Sequence, residues 1–488
     1  MTVGQQSLRR TTSRTAVRLP LKIVDVVLFF LLSVVASLAM ARDYQFIVIL
    51  PALSICLVFV IFCLMLASRV HSGVFGEVGF IFLGFVVAYS VIPALNFLLI
   101  DFDFPQDFDS LNFSVLNPRP DEIAVHLWRH FLFAVTVIFG YLAARGSGQD
   151  DVADLRLKPV DNRIVGLMLM IVVLCIGTVT MLSSPVSNYY EHYTRFDALP
   201  WFEKRVAYLA LMIKSGAYYV ALALMFADYK RFRWTILFFV VSISAYELVY
   251  SLGSRIETLS ILLATLCLYH LMVRKIRLRE GLFALGGLLV LFTAVEFFRG
   301  ANFDLNAVLD SFREKGPKIA AEFGAVFYTS FHLYSERLSG TMPWHEWPML
   351  LNDFLTAVPF FDHVQYNSQY WYAQAFFPTA IVPPQTMGPI ADSAIWGGEV
   401  DLAVRGVFTG LGFGWLARWA LGSRNRLFPV LCYTFLFATC VISLKYSLIY
   451  QMSRMLQTLA PTVLIYLIIN RIVGGLPRAR IVYQKGVS

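Results

Sequence analysis

Charged residues are scarce in this 488-residue chain, which has 15% Asp, Glu, Lys and Arg against 58% apolar residues. Soluble domains carry about 25% charged residues on average. The shortage excludes soluble enzymes and nucleic-acid-binding proteins, and it favours a membrane protein. Lys and Arg collect in the cytoplasmic loops of membrane proteins to set their orientation, so the net charge of +8 points to no nucleic acid or other partner.

Cysteine motifs and metal-binding motifs are lacking as well. None of the six cysteines has CxxC or Cys/His ligand spacing, and all lie inside apolar runs: Cys56, Cys63, Cys175, Cys267, Cys432 and Cys440. Such cysteines are typical small core residues rather than disulfides or ligands. The longest connecting segment has no DxD motif. We therefore expect no metal and no cofactor.

Apolar runs long enough to cross roughly 30 Å of hydrocarbon recur along the chain. They predict twelve spans near 24–40, 46–67, 79–100, 123–143, 164–181, 206–226, 234–251, 258–273, 282–298, 402–421, 428–444 and 456–471. Basic tails, with Arg9 and Arg10 before the first span and Arg478 and Arg480 after the last, put both ends in the cytoplasm. An even number of spans agrees with this. The predicted fold class is an all-α polytopic membrane protein with about 12 transmembrane helices.

One connection is much longer than the others and lies between spans nine and ten. The chain therefore divides into an N-terminal bundle of about nine spans at 1–298, a large periplasmic loop at 299–401, and about three spans with a cytoplasmic tail at 402–488. Long loops in compact proteins are usually functional or contain folded elements. The loop is the first place to expect a site.

Four arginines lie at outer ends of spans, where the positive-inside rule gives no reason for them. They are Arg255, Arg299, Arg405 and Arg454. Convergent guanidinium groups at the membrane boundary suit the diphosphate of a lipid head group. The alternative is that each arginine is a snorkelling anchor or is paired locally, such as Arg255 with Glu257 and Arg405 with Asp401.

Two charged residues fall within spans rather than at their ends. Lys214 and Glu247 lie at depths that a flexible lysine side chain can bridge. We predict a buried Lys214–Glu247 ion pair in preference to a ligand-binding role.

Aromatic residues cluster with amide side chains in the large loop. Tyr366, Tyr370, Trp371 and Tyr372 stand near Asn367 and Gln374. Rings that pack on sugar C–H faces beside amides that bond hydroxyls predict a sugar-binding surface. An interfacial aromatic belt or a loop core explains the same pattern equally well.

A diphosphate site beside a sugar-binding surface suits glycosyl transfer at the outer face. That reaction needs a carboxylate or histidine to accept a hydroxyl proton. The outer candidates are Glu257, Glu322, His332, Glu336, His345, Asp353, Asp362, His363, Asp392, Glu399 and Asp401. Residue type alone does not choose among them.

Three segments carry a resemblance to a known family. They are Gly79-Phe80-Ile81-Phe82 through Leu95, Gly253-Ser254-Arg255, and Gly397-Gly398 through Arg405-Gly406, Gly410 and Gly412. With its large outer loop, the chain resembles the bacterial oligosaccharide repeat-unit polymerases, the Wzy-type O-antigen polymerases.

The resemblance implies a GT-C-like inner-membrane glycosyltransferase that is independent of metal. It would polymerise repeat units linked to undecaprenyl diphosphate into a surface polysaccharide, in contact with membrane lipid and with a chain-length regulator protein as a candidate partner. Arg255 and Arg405 match the outer arginines of the family, so replacing either with alanine is expected to abolish polymer and leave the protein folded.

Similar polymerases carry an acid shortly before the glycine-bearing span, which ranks Asp392 first as base, then Glu399 and His363. Two other functions stay open. An O-antigen ligase or other lipid-linked glycan transferase differs only in its acceptor. A lipid-oligosaccharide flippase or polysaccharide exporter would instead carry charges along a central cavity and have short loops on both sides.

Overall fold

The computed structural model describes a large part of the chain. The described residues are 43–69, 74–99, 119–146, 157, 160–183, 196, 199–250, 255–277, 279–281, 283–284, 286–287, 321–343, 345, 348–349, 351–352, 368–376, 387–422, 426–446 and 448–475. Throughout these residues the regular structure is helical.

The main helices follow one another in the order of the predicted spans. They are α1 (Asp43–Arg69), α2 (Val78–Leu99), α3 (Pro120–Arg145), α4 (Asn162–Leu182), α5 (Trp201–Ala227), α6 (Tyr229–Tyr250), α7 (Arg255–Met272), α8 (Ala321–Ser339), α9 (Ser368–Phe376), α10 (Pro389–Trp396), α11 (Glu399–Gly422), α12 (Leu427–Thr439), α13 (Ile442–Lys445) and α14 (Leu448–Gly475). Helices α8, α9 and α10 belong to the predicted loop.

Within the described residues, six stretches of helix are long and apolar enough to cross a membrane. They are Ile47–Ser68, Pro120–Arg145, Asn162–Leu182, Trp201–Ala227, Glu399–Gly422 and Tyr450–Val473. Shorter apolar helices cover Val78–Ala94, Glu257–Met272 and Leu427–Thr439. The described chain is therefore that of an all-α protein with several helices of membrane-spanning length.

Two of the predicted spans lie wholly or mostly outside the described residues, namely 24–40 and 282–298. Every other predicted span coincides with a helix, except that 428–444 is broken after Thr439 into α12 and α13. The total of twelve spans stays a prediction.

Glycines hold α3 and α11 together. Gly406, Gly410 and Gly414 recur every four residues on α11, and a Cβ at any of them would collide with α3. At Gly410 that Cβ would overlap the carbonyl oxygen of Val137, and Gly140 on α3 offers the matching gap. Small residues at this spacing let two helix backbones approach closely in a membrane. The contacts advance together along both helices, from Gly406 against Thr136 to Gly414 against Ala144, so the two helices run parallel and begin at the same end of the bundle.

We call the end at which α3, α7, α11 and α14 begin the loop end, and the other the opposite end. A buried ion pair closes the opposite end: Arg145 Nε lies 3.1 Å from Glu77 Oε2, with side chains 5% and 0% exposed. Tyr141 donates a short hydrogen bond to the same carboxylate. Because the buried charges are paired and hydrogen-bonded, their desolvation is offset.

The predicted Lys214–Glu247 pair is confirmed. Lys214 Nζ lies 2.7 Å from Glu247 Oε1, and both side chains are almost fully buried between α5 and α6. The hydroxyl of Tyr218 donates to the same oxygen over 2.9 Å. This pair links two helices inside the bundle.

Candidate functional site

A sharp elbow joins α10 to α11 at the loop end. Gly397 and Gly398 both donate their N–H to Ser393 O, and Gly398 takes a left-handed φ of 63°. That conformation suits glycine because it has no Cβ. A Cβ at Gly397 would also lie 2.7 Å from Asp401 Cβ. The two glycines therefore turn the chain so that Asp392 of α10 faces the first turns of α11.

The elbow brings Asp392 of α10 to Arg405 of α11. Arg405 Nη1 lies 3.2 Å from Asp392 Oδ2, and Arg405 Nε lies 2.7 Å from Asp401 Oδ2. The side chains of Arg405 and Asp392 are 18% and 7% exposed. The local Arg405–Asp401 pair, one of the two sequence-based alternatives for Arg405, is thus present. The same guanidinium also pairs with Asp392, which the sequence ranked first as the catalytic base.

A second ion pair lies beside the first. Arg129 Nε on α3 lies 2.8 Å from Glu399 Oε1 at the start of α11, with Arg129 8% and Glu399 56% exposed. The Arg129 guanidinium also lies 4.0 Å above the ring of Tyr334 on α8, a cation–π geometry. We call Arg129, Asp392, Glu399, Asp401 and Arg405 the carboxylate–arginine cluster.

Helix α8 braces this cluster from the loop side. The hydroxyls of Tyr334 and Ser393 are 2.9 Å apart, and Arg337 Nη1 donates to Ala394 O over 2.8 Å. Burial raises the pKa of Tyr334 to about 12, so Tyr334 keeps its proton at neutral pH. Helix α10 is thereby fixed at its C-terminal end by two side chains of α8.

Two buried histidines fasten α8 to the bundle. His126 Nε2 lies 3.0 Å from Ser330 Oγ of α8, and His130 Nδ1 lies 2.6 Å from Ser90 Oγ of α2. Each serine hydroxyl also lies within donating distance of a backbone carbonyl, Val326 O for Ser330 and Val86 O for Ser90. Each serine therefore contacts both an imidazole of α3 and a carbonyl of its own helix. The chain of contacts holds α2, α3 and α8 together.

The other predicted arginines do not join the carboxylate–arginine cluster in the described residues. Arg454 on α14 faces Glu257 on α7 at 3.9 Å, a separate contact at the loop end. Arg255 begins α7, but its side chain lies outside the described part, as does Arg299 entirely. The predicted pairing of Arg255 with Glu257 is likewise outside it. The convergence of all four arginines stays a prediction.

The predicted sugar-binding aromatics differ in exposure. Trp371 and Tyr372 are 6% and 0% exposed and pack inside the loop helices, whereas Tyr370 is 38% exposed. This burial is what a loop core requires, so of the three described members of the set only Tyr370 has an exposed side chain that could contact a ligand. Tyr366 and the candidate base His363 lie outside the described residues.

The hydroxyl of Tyr372 lies 3.0 Å from His332 Nδ1 on α8. Burial lowers the pKa of His332, while the nearby Glu336 carboxylate, 3.6 Å away, opposes that shift. His332 is therefore neutral at pH 7. It serves the packing of α9 on α8.

Sequence reasoning missed three residues of the site: Arg129, Tyr334 and Arg337. Arg129 carried a usable signal, because an arginine inside a predicted span is a functional candidate by default. Tyr334 and Arg337 carried none, since both are ordinary residues of a long loop. Their roles follow from the packing of α8 on α10.

The cluster combines three carboxylates with two guanidinium groups at the loop end of the bundle. Such a set can accept a proton and stabilise developing negative charge. Comparison of the chain with protein-family models, with curated proteins and with solved structures gave no match.

Proposed function

We propose that this protein is a membrane glycosyltransferase that polymerises oligosaccharide repeat units carried on undecaprenyl diphosphate. The reaction takes place at the loop end, which we assign to the periplasmic face of the bacterial inner membrane, with both termini in the cytoplasm. The product is a surface polysaccharide such as O-antigen, capsule or exopolysaccharide.

The carboxylate–arginine cluster is the observation that carries this proposal. Its Arg129–Glu399 pair joins α3 to the start of α11, and its Arg405–Asp392 pair joins α11 to the loop helix α10. A transferase that acts on a lipid-linked donor needs acid–base groups near the lipid head group, and this proposal gives that role to the two carboxylates in the first turn of α11.

Exposure distinguishes the two candidate bases. Asp392 is 5% exposed and is held beneath α8, while the Glu399 side chain is 56% exposed. A general base must come within about 3 Å of the hydroxyl proton that it removes. We therefore assign the base to Glu399, ahead of Asp392 and of His363, and we assign Asp392 to holding the elbow through Arg405.

In the proposed reaction the acceptor hydroxyl attacks the anomeric carbon of the donor sugar. A new C–O bond forms, the bond from that carbon to the diphosphate oxygen breaks, and undecaprenyl diphosphate leaves with the electron pair. Glu399 takes the hydroxyl proton. Because a carboxylate paired with a guanidinium is a weak base, this transfer accompanies bond formation rather than preceding it. No step calls for a metal, so chelators are expected to leave turnover unchanged.

The described charges also bear on the alternative functions. In a flippase or exporter, charged residues are expected along a central cavity. Here the buried Lys214–Glu247 pair neutralises itself and the remaining ion pairs lie at the two ends. This favours a transferase. An O-antigen ligase would use the same cluster, so it stays the second candidate.

The test uses the purified protein in lipid nanodiscs with a repeat unit linked to undecaprenyl diphosphate. We expect a ladder of longer lipid-linked products, and Glu399→Gln should stop the ladder while keeping the fold. The matched control is Glu122→Gln, an exposed glutamate at the N-terminus of α3 that pairs with Arg119, and it should elongate normally.

Transfer of one whole glycan to a lipid A acceptor, without a ladder, would replace polymerase by ligase. Absence of any transfer, together with movement of the lipid-linked unit across a vesicle membrane, would contradict the proposal. Normal elongation by Glu399→Gln would remove Glu399 as the base.

A further inference from the structure

Arg337 differs from Arg129 and Arg405 in having no carboxylate oxygen within ion-pair distance among the described residues, although its charge acts on the nearby Glu399 carboxylate. Arg129 and Arg405 each lie within 3.2 Å of a carboxylate oxygen. Among the residues that the structure describes, Arg337 has no ion pair, and its hydrogen bonds come from Nη1 alone, to Ala394 O at 2.8 Å and Ile395 O at 3.5 Å. Its Nε and Nη2 donors are left for another acceptor.

Gly398 of the elbow lies beside the Arg337 guanidinium. Arg337 is an exposed residue near the end of α8. A Cβ at Gly398 would lie 3.4 Å from Arg337 Nε and 3.6 Å from Nη2. The elbow glycine therefore lies directly beside the guanidinium, and a Cβ there would be in ordinary van der Waals contact with its face.

The surroundings of Arg337 favour an anion. The guanidinium lies on the elbow immediately before α11, a 24-residue helix whose N-terminal end carries partial positive charge. The two acids of that first turn, Glu399 and Asp401, already pair with Arg129 and Arg405. Guanidinium donors in a planar fork match the oxygens of a phosphate group.

We propose that Arg337 binds a phosphate oxygen of the lipid-linked donor at the mouth of the cluster, through its Nε and Nη2 donors. This inference rests on the proposed function and deepens it, because it names the group that holds the leaving diphosphate. In the sequence-based assignment that role fell to Arg255, Arg299, Arg405 and Arg454. In the structure the Arg405 donors are directed at Asp392 and Asp401.

The experiment measures equilibrium binding to the full-length protein in nanodiscs, using undecaprenyl diphosphate, undecaprenyl phosphate and inorganic pyrophosphate as separate probes. Arg337→Ala should weaken undecaprenyl diphosphate binding about tenfold, the effect of losing one charge-assisted contact. Arg337→Lys keeps a donor for Ala394 O but loses the planar pair of guanidinium donors. It should therefore keep the wild-type melting temperature and still bind undecaprenyl diphosphate several-fold more weakly.

Arg119→Ala is the matched control. Arg119 is an exposed loop-end arginine, 70% exposed, and it already pairs with Asp121 and Glu122. Its replacement removes the same charge from a guanidinium that is already paired with carboxylates, and undecaprenyl diphosphate binding should stay at the wild-type value. Weaker binding of pyrophosphate than of undecaprenyl diphosphate would identify the lipid-linked form as the ligand, whereas equal binding would identify free diphosphate.

Wild-type affinity in both Arg337 variants would overturn the inference, as would an equal loss in Arg119→Ala, which would indicate general electrostatic attraction. If those results came with a normal product ladder, the proposed function would stand without Arg337. If the wild-type protein neither bound the lipid diphosphate nor elongated it, both proposals would fail.

Discussion

Arg405 offers the clearest test of how the site is built, since two hypotheses for it predict opposite results. From the sequence alone, Arg405 holds a ligand and its loss leaves the fold intact. In the structure it holds Asp392 at 3.2 Å and Asp401 at 2.7 Å. The structure therefore predicts that removing Arg405 destabilises the protein itself.

The size of the effect follows from burial. Breaking a fully buried ion pair costs about 3–5 kcal/mol, whereas an exposed pair contributes about 0–1 kcal/mol. The side chains of Arg405, Asp392 and Asp401 are 18%, 7% and 23% exposed, which places the site nearer the buried case. We expect Arg405→Met to lower the free energy of unfolding by about 2–3 kcal/mol.

The assay is the thermal midpoint of the detergent-purified protein, followed by size-exclusion chromatography after heating. Asp392→Asn in the Arg405→Met background should restore part of the loss, because a neutral amide does not require a guanidinium. A double-mutant cycle over the two positions measures that coupling. A wild-type midpoint in Arg405→Met, with diphosphate binding lost, would show that Arg405 serves the ligand and would refute this reasoning.

Three further predictions concern the bundle and the loop. Glu247→Gln should lower the free energy of unfolding by about 3–5 kcal/mol, and with it the thermal midpoint, since it leaves the Lys214 charge without its carboxylate. Adding Lys214→Met should recover most of the lost stability. An unchanged midpoint in Glu247→Gln would contradict the buried pair. Gly410→Leu should force α11 away from α3 and prevent stable folding, which expression and heating assays would show. The control is Gly422→Ala, where a Cβ meets nothing within 4 Å, and it should leave the yield and the thermal midpoint unchanged. Because burial lowers the pKa of His332 in the folded state, the unfolded state binds more protons, so stability is lost as the pH falls below about 6.5. A smaller drop in midpoint between pH 7.5 and 5 is expected in His332→Asn than in wild type.

The sequence predicted the helices well because each depends on local information. An apolar run long enough to cross a bilayer is helical wherever it lies, since no other backbone geometry satisfies its own hydrogen bonds there. Helices such as α1, α3 and α11 therefore appear close to the predicted spans 46–67, 123–143 and 402–421. The Lys214–Glu247 pair was also predictable, because two charges at similar depth in neighbouring spans have few other partners.

The partners of the site residues could not be read in the same way. Arg129 and Glu399 are 270 positions apart and meet because three glycines let α11 pack tightly against α3. Whether Arg405 faces a ligand or Asp392 depends on the left-handed φ of Gly398, which turns α10 back on α11. Local hydrophobicity thus determined the helices of this protein, while close packing between distant helices decided which charges neutralise each other and which, like Arg337, keep donors open.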